Sequence, residues 1–149
     1  MALAALAAIA CSAESPFVPP GGNLLVAVVV YRCSGGCGTT IGPVDTLHRG
    51  DTAQVRLSVA DTAGDSAVVL LRANCDVNVT ILGGAGVAPT LPATPTCPDS
   101  TEAASVSSIP LLRDLVWIVP PTLAVGDYTL RAEMVIDPTV QGRRAVHVD

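Results

Sequence analysis

The sequence contains no lysine: all eight basic residues are arginine, and only Arg143 and Arg144 are adjacent. Binding a nucleic-acid backbone needs clustered cations. With a net charge of −5 and no basic stripe, no nucleic-acid partner is expected. Aromatics are scarce too, at one Trp, one Phe and two Tyr. The core must therefore be built from β-branched and small aliphatic side chains, which favours strands. No stretch has the 3.6-residue periodicity of a useful amphipathic helix, and no apolar run approaches the roughly 18 residues that mark a membrane-spanning helix. The catalytic signatures are missing as well. There is no G-x-S-x-G nucleophile elbow, no Gly-rich phosphate loop between strand and helix, and no metal-binding His cluster. His48 and His147 lie near opposite ends of the domain sequence, with no evident acid or nucleophile partner for either. No enzyme activity, cofactor or metal is expected.

What is present begins with Met1–Ala10, an uncharged run rich in Ala and Leu that ends in small residues against Cys11. This reads as the apolar core of an export signal followed by its cleavage site. As a helix, ten residues would rise about 15 Å, half of the roughly 30 Å hydrocarbon core, so they cannot span it. Ala10-Cys11-Ser12 resembles a bacterial lipobox, in which the cysteine is acylated and becomes the mature N-terminus, although Ala8 stands where Leu is usual. No basic residue precedes the run, which a start upstream of Met1 would explain. The expectation is an exported lipoprotein, periplasmic or on the cell surface, anchored to a membrane through a lipid on Cys11. Residues 11–23, rich in Pro and Gly, then form a flexible tether, and residues 24–149 form the folded domain.

Five cysteines are an odd number, and assigning Cys11 to a lipid leaves four. These pair naturally as Cys33 with Cys37 around a Ser-Gly-Gly turn, and Cys75 with Cys97 across a Pro- and Gly-rich excursion; crossed pairings stay open. Disulfides agree with an oxidising compartment. A zinc site would need two close Cys pairs or accompanying His, and only one close pair exists.

Along the domain, Leu24–Arg32 is a continuous Val-rich run read as a strand buried on both faces. Residues 39–50 read as a loop or weak strand. Thr52–Val59 alternates cleanly and, with Ala67–Ala73 after a turn, reads as a hairpin-like unit. Val77, Val79 and Ile81 mark a further strand. Residues 83–108 carry almost no large apolar side chain and read as a long loop, a length that is often functional. Leu111–Val119 resumes strand character, with Trp117 expected in the core. After the Gly126-Asp127 turn, Tyr128, Leu130, Ala132, Met134 and Ile136 alternate with polar partners, and Ala145–Val148 supplies a closing strand. Short strands with turn signals about every ten residues indicate an all-β fold, an antiparallel sandwich of about seven or eight strands.

The strand–turn–strand over 52–73, the late Trp117 strand and Leu123-Ala-Val-Gly-Asp-Tyr-Thr-Leu130 resemble bacterial immunoglobulin-like domains. The last passage looks like the L-x-x-G-x-Y-x-L strand of such modules. The order of the last two is also similar to the β-sandwich family named for the intracellular proteinase inhibitor of bacilli. The resemblance covers about residues 50–137 and implies an immunoglobulin-like β-sandwich; its motifs are structural, so inhibition is not carried over as the primary reading.

Three further motifs have structural readings. Arg49-Gly50-Asp51 spells an integrin-binding tripeptide, but a turn entering a strand uses the same letters. Asn78-Val79-Thr80 is a glycosylation sequon inside a strand. Asp61, Asp65 and Asp76 invite calcium, yet their spacing matches no calcium loop and Asp61–Asp65 reads as a turn. The function expected is therefore a non-catalytic, exported, lipid-anchored sandwich that binds another protein, as an accessory or structural subunit of a membrane-associated complex. Contact is expected through loop 83–108, marked by Gly84, Thr90 and Pro95, or through a sheet edge. The alternative is a protease-inhibitor-like or ligand-binding module using the same loop.

Overall fold

The computed structural model describes residues 24–61, 67–71, 76–83, 90–91, 102–106, 111–135 and 137–149. Every described element is a strand: β1 (Leu24–Cys33), β2 (Thr40–Pro43), β3 (Thr46–Leu47), β4 (Thr52–Asp61), β5 (Ala67–Leu71), β6 (Val77–Gly83), β7 (Thr90–Leu91), β8 (Glu102–Val106), β9 (Leu111–Ile118), β10 (Gly126–Met134) and β11 (Gln141–Val148). They form sheets ordered β2-β1-β4-β9 and β3-β11-β10-β6-β7, with β5 and β8 paired in a separate ribbon. The described residues form an all-β sandwich whose eight strands of five or more residues are joined by three shorter ones. Pairing is antiparallel except that β3 joins β11 in parallel, with Thr46 beside His147.

Period-2 alternation builds the core. From one sheet come Val26, Val28 and Val30 of β1, Ala53, Val55, Leu57 and Val59 of β4, and Trp117 of β9. The other sheet contributes Val77, Val79 and Ile81 of β6 and Tyr128, Leu130, Ala132 and Met134 of β10, with Val146 and Val148 of β11. Trp117 is fully buried, and its indole N–H has no partner among the described residues. The Tyr128 hydroxyl donates to the Ala124 carbonyl at 2.7 Å. A tyrosine near the start of a strand that bonds back to the corner before it is the tyrosine corner of immunoglobulin-like sandwiches. The sheets are also tied by charge, since Arg113 of β9 donates to the buried carboxylate of Asp76, just ahead of β6.

Where β11 crosses the lower part of β1, the two sheets come into backbone contact at Gly142. A Cβ added there would fall inside the van der Waals surface of the Val26 carbonyl oxygen. At Gly83 the constraint is double: φ is +120°, and a Cβ would lie 2.6 Å from the Asp127 carbonyl oxygen. The Cys33–Cys37 disulfide is formed and closes the tip of the β1–β2 hairpin.

Several expectations are corrected. β1 is not buried on both faces: Val26, Val28 and Val30 point inward, while Leu25 and Ala27 are exposed. β4 and β5 do not form a hairpin, because β4 pairs with β1 and β9 and β5 pairs with β8. The β4 strand is held centrally by apolar partners on both sides, and local sequence proximity does not outweigh them. Residues 39–50 contain two strands, β2 and β3. The long loop 83–108 contains β7, with Leu91 buried, and β8. Cys11, Cys75, Cys97, Gly84 and Pro95 lie outside the described residues, as does Asp65.

Replacing Gly142 by Ala should cost about 2 kcal/mol or more, since backbone rather than a flexible side chain must move. Gly38→Ala, where nothing lies within 4 Å of the added Cβ, should leave stability nearly unchanged. Thermal midpoints of the two variants check this; equal midpoints would show that β11 does not close on β1 at this residue.

Candidate interaction face

The outward positions of the β2-β1-β4-β9 sheet follow from the same alternation that fills the core. In β9, Trp117 points inward, so Leu112, Asp114, Val116 and Ile118 point out. In β1 the outward set is Leu25, Ala27, Val29 and Tyr31, and in β4 it is Thr52, Gln54, Arg56, Ser58 and Ala60. The register sets these in rows: Ala27, Ser58 and Leu112; Val29, Arg56 and Asp114; Tyr31, Gln54 and Val116. A polar central column from β4 is thus flanked by two apolar columns. In the β9 column exposure is 49% for Leu112, 55% for Val116 and 65% for Ile118; in the β1 column Leu25 is 53% exposed, while Val29 and Tyr31 are half-buried. Large exposed apolar side chains gathered on one sheet face mark an interaction site more often than singly scattered ones do.

At the centre of the face, Arg56 holds Asp114 through both carboxylate oxygens, Nε to Oδ1 at 2.8 Å and Nη2 to Oδ2 at 2.9 Å. The guanidinium carbon also sits 5.7 Å from the Tyr31 ring centroid, within range of a cation–π contact. The Arg56 hydrogen bonds hold the Asp114 carboxyl below the ordinary aspartate value, and Asp114 raises the guanidinium further. This planar fork on a carboxylate, backed by an aromatic ring, fixes the one charged couple of the face in place.

The other sheet presents a different outer surface. Its rows pair Asp127 with His147, Arg131 with Arg143, and Glu133 with Gln141 across β10 and β11, and place Asn78 and Thr80 of β6 beside Glu133 and Arg131. That face is charged and solvated.

Both histidines have acid partners, which corrects the sequence reading. His147 Nδ1 lies 2.8 Å from Asp127 Oδ1. His48 lies 3.4 Å from Asp51 through Nδ1 and 3.5 Å from Asp149 through Nε2. The parallel β3–β11 pairing brings the two ends of the domain to one corner, a long-range contact that local sequence does not carry. A depression of about 440 Å³ there is lined by Asp45, Thr46, Asp127, Arg144 and His147, among others. Among the described residues no hydrogen bond joins the Thr46 hydroxyl to either imidazole, and no His/Cys/Asp/Glu group is arranged to hold a metal.

The remaining motifs take structural places. The Asp51 carboxylate of Arg49-Gly50-Asp51 accepts the His48 amide at 2.9 Å, and Gly50 donates to the Val119 carbonyl, so the tripeptide forms the turn into β4. Thr90 pairs with Thr80 at the edge of the second sheet. Asp76 is engaged by Arg113. Sequence reasoning missed the apolar outer face, because its residues were read as evidence of burial.

The Asp114 carboxyl has a lower pKa folded than unfolded, so its contribution to stability is present above the unfolded value of about 3.9 and is lost as pH falls through the folded value. The gap in thermal midpoint between the wild type and Asp114→Asn should therefore be constant near neutrality and close on acidification below about pH 4. A gap independent of pH would show that the pair adds no charge-dependent stability. A comparison of the chain with protein-family models and with curated proteins finds no match.

Proposed function

We propose that the chain is an exported, lipid-anchored, non-catalytic β-sandwich that binds another protein, as an accessory or structural subunit docked on a membrane-associated complex. The observation that carries the binding role is the outer face of the β2-β1-β4-β9 sheet, where Leu25, Leu112, Val116 and Ile118 are about half exposed or more. A rigid sheet presents these side chains at almost no ordering cost, which favours its use as a contact surface. Export is supported by the Cys33–Cys37 disulfide, a bond that persists in oxidising compartments. The anchor rests on Cys11 and the apolar run before it. The contact is accordingly moved from loop 83–108 to the sheet face.

The test is retention from gently solubilised membranes. Wild-type chain should hold a defined partner identified by mass spectrometry, and Val116→Arg should lose it with an unchanged thermal midpoint. Cys11→Ser should release the chain from the detergent phase without unfolding it. Equal retention by wild type and Val116→Arg would remove the sheet face from the reading.

A further inference from the structure

We infer that the outer face of the β2-β1-β4-β9 sheet pairs with the same face of a second copy of this chain, which rests on that face being the contact surface proposed above. Charge is the first argument. The chain carries a net charge of −5, so two copies repel wherever their charged surfaces meet. Among the outward positions of β1, β4 and β9, the only charged side chains are Arg56 and Asp114, and they neutralise one another. This face carries no net charge, so two like-charged copies meet there with less repulsion than where their acidic surfaces face each other. It offers no net field to a partner selected by opposite charge.

Self-complementarity is the second argument. A two-fold axis parallel to the strands and passing over β4 lays β1 of one copy across β9 of the other. The apolar column Leu25, Ala27, Val29 and Tyr31 then meets Leu112, Val116 and Ile118, and the polar columns of β4 meet each other. The two Arg56 side chains then face each other across the axis, and each is offset sideways by one strand spacing, about 4.8 Å, from the Asp114 of the opposing copy. A guanidinium has donors to spare for both carboxylates, so the two couples merge into a four-membered network. Sheets stacked in this way pack about 10 Å apart, within about 30° of alignment.

Area is the third. Three strands at about 4.8 Å spacing and nine residues at about 3.3 Å rise give a flat footprint of about 430 Å² per copy. With side-chain relief and β2 added, this approaches the lower end of specific interfaces, about 600 Å² per partner. The association is therefore expected to be a modest one.

Sedimentation velocity on the full chain, from low micromolar to sub-millimolar concentration, tests the proposal. Wild type should pass from monomer to dimer mass. Val116→Arg should weaken the dimer at least about tenfold, with its thermal midpoint unchanged. Thr129→Arg, on the outer face of the other sheet, should dimerise as wild type does. A wild type that stays monomeric throughout overturns the proposal, as does a dimer insensitive to Val116→Arg or equally sensitive to Thr129→Arg. A monomeric wild type whose Val116→Arg variant still loses a different protein partner would overturn the second copy as occupant and leave the contact face standing.

Discussion

With so few large aromatic side chains, the core cannot hold its two sheets far apart along their whole length, and they converge where β11 crosses β1. Gly142 meets the Val26 backbone there, at a distance that admits no side chain. The rest of the arrangement depends on this closure. It commits Val26, Val28 and Val30 to the interior and leaves Leu25 and Ala27 on the far side of the sheet. It also carries the end of β11 to β3, which gathers His48, His147 and three of their carboxylate neighbours at one corner. Close approach of two backbones is the usual reason a strand interior holds glycine.

The two outer faces then differ for a simple reason. β10 and β11 alternate apolar with charged residues, so one side of that sheet enters the core and the other is solvated. β1, and β9 apart from Arg113 and Asp114, carry apolar side chains on both faces, so the same geometry that turns Val26, Val28, Val30 and Trp117 inward leaves Leu25, Leu112, Val116 and Ile118 exposed. Only β4, with Gln54, Arg56 and Ser58, follows the ordinary pattern in its sheet. An antiparallel sheet with one solvated face normally shows clean hydrophobic-in, polar-out alternation; β1 and β9 depart from it, and the second surface proposed above would account for the departure.

Much of the scaffold was legible in the sequence. The alternation at Val77–Ile81 and Tyr128–Met134 placed two strands correctly, but the turn read at Gly126-Asp127 lies earlier, at residues 121–123, because both residues already pair with β11 inside β10. What was not legible is pairing. Nothing local says that β5 joins β8 across about thirty residues, or that β4 lies between β1 and β9. Continuous apolar runs were also ambiguous, since Leu-Leu-Val-Ala-Val-Val-Val reads equally as a strand buried on both faces and as one whose second face awaits a partner. The Arg56–Asp114 couple needed the β4–β9 register, and the His147–Asp127 pair needed that of β10 and β11.

The central claim is that the apolar outer face is open in the free chain and covered in its working state. Methyl NMR with a soluble paramagnetic probe reads this residue by residue. In dilute solution the methyls of Leu25, Leu112, Val116 and Ile118 should be attenuated as strongly as those of exposed Val125, while the buried Val55 and Leu57 methyls are spared. As the chain is concentrated, the four should recover their intensity and Val125 should not. Shielding of the four methyls already in the dilute chain would contradict the account, because the face would then be covered by the chain itself.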